Sequence, residues 1–139
     1  PSTAGRYINY CPDGWYYYKL SCFKYFRDPQ TWDEAERQCQ AVQDGAHLAW
    51  VEEHQEAATL RKAISYYQRV RSVWIGLQHG KENEAWQWTS GKDYSVASGL
   101  PGNGARGGSC AMLTYHSGFT VWSSADCTQK HHYVCKFYP

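Results

Sequence analysis

The sequence has no uninterrupted run of about 18 apolar residues, so no segment of it is expected to span a membrane. It also has no excess of either charge, because 14 Lys and Arg residues are balanced by 13 Asp and Glu residues, for a net charge of +1. That balance leaves no electrostatic footprint for nucleic acid or an anionic membrane. No Asn-x-Ser/Thr triplet occurs, so N-glycosylation is not expected.

The motifs of common enzymes and metal sites are also missing. There is no Gly-x-Ser-x-Gly, no His-Glu-x-x-His and no phosphate-binding loop, and Ser109 has no partnered histidine or acid at a recognisable spacing. None of the cysteines forms a Cys-x-x-Cys pair, which argues against a zinc knuckle or a thioredoxin-type site. His131 and His132 would point to opposite sides of a strand and so do not form a ready metal pair. We therefore expect neither catalysis nor a metal or cofactor.

Cysteine and aromatic residues are what the sequence has in quantity. Six cysteines without metal-binding spacing predict a disulfide framework, which persists only in oxidising compartments. Six cysteines allow fifteen pairings, and their spacing alone does not choose among them. No signal peptide stands at Pro1, so we expect a secreted, extracellular mature chain from which one has been removed. Seven Trp and 12 Tyr supply side chains that suit both a core and a binding surface.

The 139 residues predict a short polar lead at 1–10 and one α+β domain at 11–139. Thr31 and Glu34 form a capping box that begins a first helix, and Gly45 is expected to end it. A second helix is predicted from about residue 53 to 67. A hairpin is predicted at 15–18 and 22–26, and further strands at 47–51, 73–77, 110–115, 119–122 and 133–137.

The segment 78–109 is long, polar and rich in glycine, interrupted only by Trp86-Gln87-Trp88. An irregular segment of that length inside a compact domain is usually functional. The expected architecture is therefore two helices packed on small antiparallel sheets, with one large loop on top.

Residues 11 to 136 resemble a C-type lectin-like domain, and the order and spacing of the matching motifs are specific to that family. The motifs are Cys11-x-x-Gly14-Trp15, Cys22-Phe23, Trp32-x-x-Ala35-x-x-x-Cys39, Gly45-Ala46-His47-Leu48-Ala49, Trp74-Ile75-Gly76-Leu77, Trp86-Gln87-Trp88, Cys110, Trp122, Cys127 and Cys135. The resemblance implies three disulfides, Cys11–Cys22, Cys39–Cys135 and Cys110–Cys127. It also implies that Trp74, Trp86 and Trp88 belong mainly to the core.

The resemblance raises the question of calcium, which sugar-binding members of the family hold in the long loop. Their proline-centred triplet of calcium ligands aligns here with Leu100-Pro101-Gly102, and their Trp-Asn-Asp segment aligns with Trp122-Ser123-Ser124. Calcium requires six to eight oxygen ligands, several of them carboxylates. None of the residues at these positions has a carboxylate side chain. We therefore expect no calcium at that site.

Two branches of the family share segments with this chain. The ending His132-Tyr133-Val134-Cys135-Lys136 is similar to the regenerating (Reg) proteins. Several Reg proteins bind polysaccharides without calcium. The segment 106–111 is instead similar to avian eggshell proteins of the ovocleidin and struthiocalcin type. Trp50 has no explanation in either branch.

Two binding hypotheses follow. The first is calcium-independent recognition of a glycan or bacterial polysaccharide by a monomer, using polar and aromatic groups on the long loop and near it. The candidate ligand-binding residues are Tyr94, Asn103, Arg106, Tyr115, His116, Ser123 and Ser124. The alternative for Tyr94 and Tyr115 is that they merely cover the core.

The second hypothesis is a biomineral matrix protein that modulates the growth of calcium carbonate crystals. It depends on arrayed charge along the second helix, with an acidic start and a basic end. The acidic residues are Glu52, Glu53 and Glu56, and the basic residues are Arg61, Lys62, Arg69 and Arg71. The alternative is an ordinary solvated helix, and the near-zero net charge weakens the mineral hypothesis.

Overall fold

The computed structural model describes residues 11–19, 21–80, 85–102 and 107–139. Two α-helices of the described chain are α1 (Trp32–Val42) and α2 (His54–Tyr67). The strands are β1 (Tyr16–Tyr18), β2 (Ser21–Gln30), β3 (His47–Leu48), β4 (Val73–His79), β5 (Trp86–Trp88), β6 (Cys110–Leu113), β7 (Trp122–Ala125) and β8 (His131–Phe137). The predicted lead at 1–10 lies outside the described residues. No helix in the described ranges is long and apolar enough to cross a membrane.

The α+β class is confirmed, but the strands join into one connected sheet where several small sheets were expected. The order is β1-β2-β8-β4-β6-β7, with β3 added to β8 and β5 added to β4. The two halves meet where β4 pairs with β8 in parallel, with Val73 opposite His132 and Trp74 opposite Tyr133. All the other pairings between named strands are antiparallel. Strand β8 is therefore central, because it pairs with β2, β3 and β4.

The predicted capping box at the start of α1 is confirmed. The Glu34 amide donates to the Thr31 hydroxyl at 3.2 Å, and the Thr31 amide donates to the Glu34 carboxylate at 3.2 Å. The helix buries Trp32, Ala35 and Cys39 and ends at Val42, earlier than the predicted end at Gly45. Gly45 instead serves the turn into β3, with a φ of 78° that favours glycine.

The three disulfides implied by the family resemblance are confirmed as Cys11–Cys22, Cys39–Cys135 and Cys110–Cys127. The second joins α1 to β8 across 96 residues of sequence. In the chain-entropy model, a loop of that length contributes about 4 to 5 kcal/mol by restricting the unfolded chain.

One predicted strand, 119–122, is displaced toward the C-terminus. Strand β7 begins only at Trp122, because the preceding residues form a turn around Ser117. The Ser117 hydroxyl accepts from the amides of Thr120 at 3.2 Å and Val121 at 3.1 Å. Phe119 adopts a φ of 65° in this turn and buries its ring in the core. Side-chain hydrogen bonds of this kind offer the backbone an alternative to a strand.

Glu56 lies in the first turn of α2, as the predicted acidic start requires, but it is buried against the sheet and is not part of the exposed charge array that the mineral hypothesis needs. Its carboxylate pairs with the ammonium group of Lys136 on β8 at 2.5 Å. The Glu52 amide donates to the same carboxylate at 2.8 Å, and Lys136 donates to the Trp50 carbonyl at 3.1 Å. Burial lowers the pKa of Lys136, and the Glu56 carboxylate opposes that effect. A buried cation is thus held by one carboxylate and one carbonyl.

This pair also explains Trp50. The Lys136 ammonium lies 4.2 Å from the centre of the Trp50 ring, within cation–π range. The indole N–H donates to Glu52 at 3.2 Å and to the Tyr138 hydroxyl at 3.3 Å. A tryptophan at this position therefore covers the buried lysine and satisfies its own polar atom.

The buried pair gives a stability test. We expect Glu56→Gln to lower the free energy of unfolding by about 3 to 5 kcal/mol, because it leaves Lys136 buried without a counter-charge. The measurement is urea unfolding of the oxidised protein at neutral pH. The matched control is Glu53→Gln, which removes an exposed carboxylate paired with Lys19 and should barely move the midpoint. The double variant Glu56→Leu/Lys136→Met should recover most of the loss. A Glu56→Gln midpoint equal to that of the wild type would contradict the role of the pair.

Candidate functional site

The two segments aligned with the family's calcium motifs lie side by side. The Trp122 amide at the start of β7 donates to the Pro101 carbonyl at 3.1 Å, and Gly102 bridges to Trp122. A Cβ atom on Gly102 would lie 2.2 Å from the Trp122 ring, so only glycine allows this close approach. The loop segment that contains Gly102 is thus packed directly against the Trp122 indole of β7.

The groups at this junction are mostly apolar, and the buried indole N–H of Trp122 has no hydrogen-bond partner among the described residues. Leu100 and Trp122 are buried, and the Ser124 hydroxyl accepts from the Gly107 amide at 2.9 Å. Within the described ranges, no group of three or more His, Cys, Asp or Glu residues could hold a metal ion. The junction therefore offers a calcium ion no set of carboxylate ligands in the described part of the chain.

Tyr94 belongs to the long segment 78–109, and its ring packs against the core. Its ring packs against Trp88 and Trp122, with a centroid distance of 5.4 Å to Trp122, and its hydroxyl donates to the Leu100 carbonyl at 2.6 Å. Trp88 and Trp74 are buried, and the half-buried Trp86 packs on Trp122 at 4.7 Å. Tyr94, Trp86 and Trp88 thus pack in the core beneath Leu100, whereas Trp74 packs in a separate cluster around the Cys39–Cys135 bond.

The remaining candidates lie in three places. Ser123 is half-buried on β7 opposite Met112 of β6. Tyr115 and His116 are exposed on a short 3-10 turn, Tyr115–Ser117, with their ring centres 4.0 Å apart. Asn103 and Arg106 lie outside the described residues. Tyr115 and His116 therefore lie side by side. The hydroxyls of Ser124 and Tyr94 are instead already hydrogen-bonded to backbone groups of the chain.

Tyr115 borders a groove of about 320 Å³, here called the Tyr115 groove. It runs between the segment before β4 and the start of β8. Its lining residues are Pro29, Val70, Arg71, Ser72, Tyr115, Lys130, His131 and His132. The Tyr115 side chain is 38% exposed, so its ring is open to a ligand.

Sequence reasoning missed most of this groove because its residues come from four separated segments. The expected opposite orientation of His131 and His132 holds in their contacts. The His131 ring packs against Trp74 at 4.8 Å, whereas His132 hydrogen-bonds the Tyr25 hydroxyl at 2.5 Å. Both nevertheless line the groove, because it crosses the start of β8. The alternation of side chains along a strand predicted that His131 and His132 have different neighbours, but it did not predict the groove that both of them line.

The histidines of the groove resist protonation. Burial lowers the pKa of His131, and burial together with the guanidinium groups of Arg71 and Arg27 lowers the pKa of His132. Near neutral pH both rings are therefore neutral, and the positive charge of the groove comes from Arg71 and Lys130.

Comparison with known proteins gives consistent matches across most of the chain. The Lectin C-type domain family matches residues 28–137. Regenerating islet-derived protein 4 of Homo sapiens is 37% identical over 129 residues, which are 93% of this chain and 82% of that protein. Human lithostathine has a TM-score of 0.83 at 33% identity, covering 93% of this chain and 100% of that one. Ovocleidin-17, a major protein of the Gallus gallus eggshell calcified layer, has a TM-score of 0.83 at 27% identity, covering 93% and 99%.

The chain belongs to the C-type lectin domain family. Within it, the chain is similar both to a regenerating islet-derived protein and to an eggshell protein, which confirms the branch indicated by the sequence. Domains of this family are in general binding modules, and none of these relatives is named as an enzyme.

The histidines give a pH test. We expect the ring resonances of His131 and His132 to titrate below the range of histidine in an unstructured peptide, whose pKa is about 6.5. Because the folded pKa is depressed, the stability contributed by the neutral rings is complete above about pH 6.5 and is lost as the pH falls through the folded pKa. The measurement is an NMR titration from pH 8 to pH 4, assigned with His131→Gln and His132→Gln. A ring that titrates at or above the peptide value would contradict the assignment.

Proposed function

We propose that this chain is a secreted, monomeric, non-catalytic protein that recognises polysaccharide or cell-surface glycan without calcium. The observation that carries the proposal is the exposed Tyr115 beside a polar groove, in a chain whose loop junction lacks carboxylates. Secretion is supported by the three disulfides, which persist in oxidising compartments.

The chemistry of the Tyr115 groove suits a sugar chain. A tyrosine ring offers a flat apolar surface against which the C–H face of a sugar ring can pack, and its hydroxyl remains available to water or ligand. Arg71 carries five N–H donors and Lys130 three, all able to bond sugar hydroxyls. His116, whose ring is tilted by 34° against that of Tyr115, extends the same aromatic surface. Such a site needs no metal ion to orient the sugar.

Polysaccharide is the preferred ligand class because a single groove of this kind binds weakly. A repeating polymer presents the same unit many times, so the apparent affinity of a single-site monomer for the whole polymer rises with the number of units on it. Ser123, half-buried on β7, and the loop residues Asn103 and Arg106 stay in this proposal as candidate outer contacts.

The alternative function is modulation of calcium carbonate growth in a mineral matrix. It is favoured by the similarity to ovocleidin-17, a protein of the eggshell calcified layer. It is weakened by the burial of Glu56, which leaves only Glu52 and Glu53 of the acidic group exposed. Glu52 also accepts hydrogen bonds from Trp50 and Tyr138. The glycan function is therefore preferred.

The test of the glycan proposal is a polysaccharide array read in calcium and again in EDTA. We expect binding to survive the chelator and Tyr115→Ala to weaken it about tenfold, the equivalent of 1.4 kcal/mol for the lost aromatic contact. The control is Tyr16→Ala, an exposed tyrosine at the far edge of the sheet on β1. Binding abolished by EDTA, or an array empty in both conditions, would refute the proposal. Equal losses from Tyr115→Ala and Tyr16→Ala would move the site away from this groove.

The mineral alternative has its own measurement. We expect calcite crystals to grow at an unchanged rate and with unchanged faces in micromolar protein, because the exposed acidic residues are few. Step velocity on a calcite face, followed by atomic force microscopy, gives the readout. Slower steps that recover in Glu52→Gln/Glu53→Gln would favour the mineral function instead.

A further inference from the structure

A second groove lies between the β1–β2 hairpin and the outer side of α2, and nothing in the proposed glycan function uses it. Phe23 and Tyr25 of β2 form its floor, Tyr16 of β1 forms one wall, and Lys62, Tyr66 and Tyr67 of α2 form the other. It holds about 340 Å³, within the size range of small-molecule sites. We call it the tyrosine groove.

The strand register places the floor and one wall on the same side of the sheet. Tyr16 lies opposite Phe23, and Tyr25 lies opposite Val134, which also lines the groove. Paired residues of antiparallel strands project to the same face. Ala63 provides the short side chain on α2 that leaves the space open.

The walls expose aromatic surface to water. Tyr66 is 83% exposed, Tyr16 is 49% exposed and Tyr67 is 44% exposed. The Tyr67 ring stacks on Tyr25 at 5.2 Å with an angle of 12°, and Tyr66 meets Tyr67 edge-on at 5.2 Å. These contacts join Tyr25, Tyr67 and Tyr66 into a continuous aromatic surface along the floor and the helix wall of the groove. Adjacent exposed aromatic rings of this kind mark interaction sites.

The charge around the groove is of one sign. Lys62 and Lys24 are its charged lining residues, and no Asp or Glu occurs among the described residues that line it. The Arg27 guanidinium adds a third cation, 5.3 Å from the centre of the Tyr67 ring. Within the described ranges, Lys62 has no carboxylate within 4.0 Å, so its charge is available to a ligand.

We propose that the tyrosine groove binds a small amphipathic anion, with an aromatic or aliphatic body in the groove and a carboxylate or sulfonate at Lys62. A neutral apolar ligand would leave the cations unused, and a free inorganic anion would leave the aromatic walls unused. A second copy of the chain is a poorer occupant, because a stable interface needs about 800 Å² from each partner and this site is a small cleft. The tyrosine groove shares no lining residue with the Tyr115 groove, although Tyr25 of the one contacts His132 of the other, and the proposal does not depend on the glycan function.

The probe for the test is 8-anilinonaphthalene-1-sulfonate, which combines an aromatic body with one sulfonate. Its neutral counterpart, N-phenyl-1-naphthylamine, has the same rings without the charge. We expect one saturable sulfonate site per folded chain and weaker binding of the neutral compound, measured by fluorescence titration at low salt. Lys62→Gln should weaken sulfonate binding about threefold, a typical effect for one exposed charge, and leave the neutral compound unaffected.

Variants of the walls locate the site. Tyr66→Ala removes an exposed ring with little risk to folding and should weaken both probes, whereas Ala63→Phe should fill the groove and block both. Circular dichroism of each variant checks the fold. The control is Tyr115→Ala, which belongs to the other groove and should change neither probe.

Three results would overturn the proposal. The first is the absence of saturable sulfonate binding. The second is equal affinity for the two probes together with no effect of Lys62→Gln, which would show an apolar patch without anion recognition. The third is displacement of the sulfonate by any polysaccharide that binds the array, which would make the groove part of the glycan site. An empty glycan array alongside normal sulfonate binding would refute only the glycan function.

Discussion

The buried pair of Lys136 and Glu56 links the sheet to the second helix. Lys136 is on β8, the strand to which β2, β3 and β4 all pair, and Glu56 is in the first turns of α2. The next residue back along β8, Cys135, is bonded to Cys39 of α1. Two adjacent residues of one strand thus fix both helices, one by a covalent bond and the other by charge. A lysine in this position is costly to bury alone, so the surrounding Trp50, Glu52 and Tyr138 are organised around it.

The loop junction joins the two segments that align with the family's calcium motifs, and neither segment contains a carboxylate side chain. The same two segments still meet, through the bond from Trp122 to Pro101. Without carboxylates to repel one another or hold a cation, the segments close on an apolar contact between an indole and a glycine. Exposed aromatic residues occur instead at Tyr115, Tyr16 and Tyr66, none of which belongs to these two segments.

Local sequence signals predicted local structure well. The capping box at Thr31 needs only four adjacent residues, and the disulfide pairing followed from the resemblance to a family with a fixed cysteine pattern. The predictions that failed concerned residues whose partners lie elsewhere in the sequence. Glu56 was predicted to be an exposed acid of an amphipathic helix, because its buried partner Lys136 lies 80 positions further along the chain. The hydroxyls of Tyr94 and Ser124 read as ligand contacts, because the backbone groups that occupy them, at Leu100 and Gly107, come from other parts of the loop and its base. The Tyr115 groove is assembled from four segments, and no single stretch of sequence signals it.

The Cys39–Cys135 bond has a further consequence for proteolysis. Every peptide bond of the long loop lies between its two cysteines, so a single cut by a protease cannot release a fragment. The two pieces stay joined, and they separate only when a reducing agent opens the bridge. A nicked molecule would keep its mass under non-reducing conditions and retain both helices on the sheet. The long loop can thus be cleaved once without either piece of the protein being released.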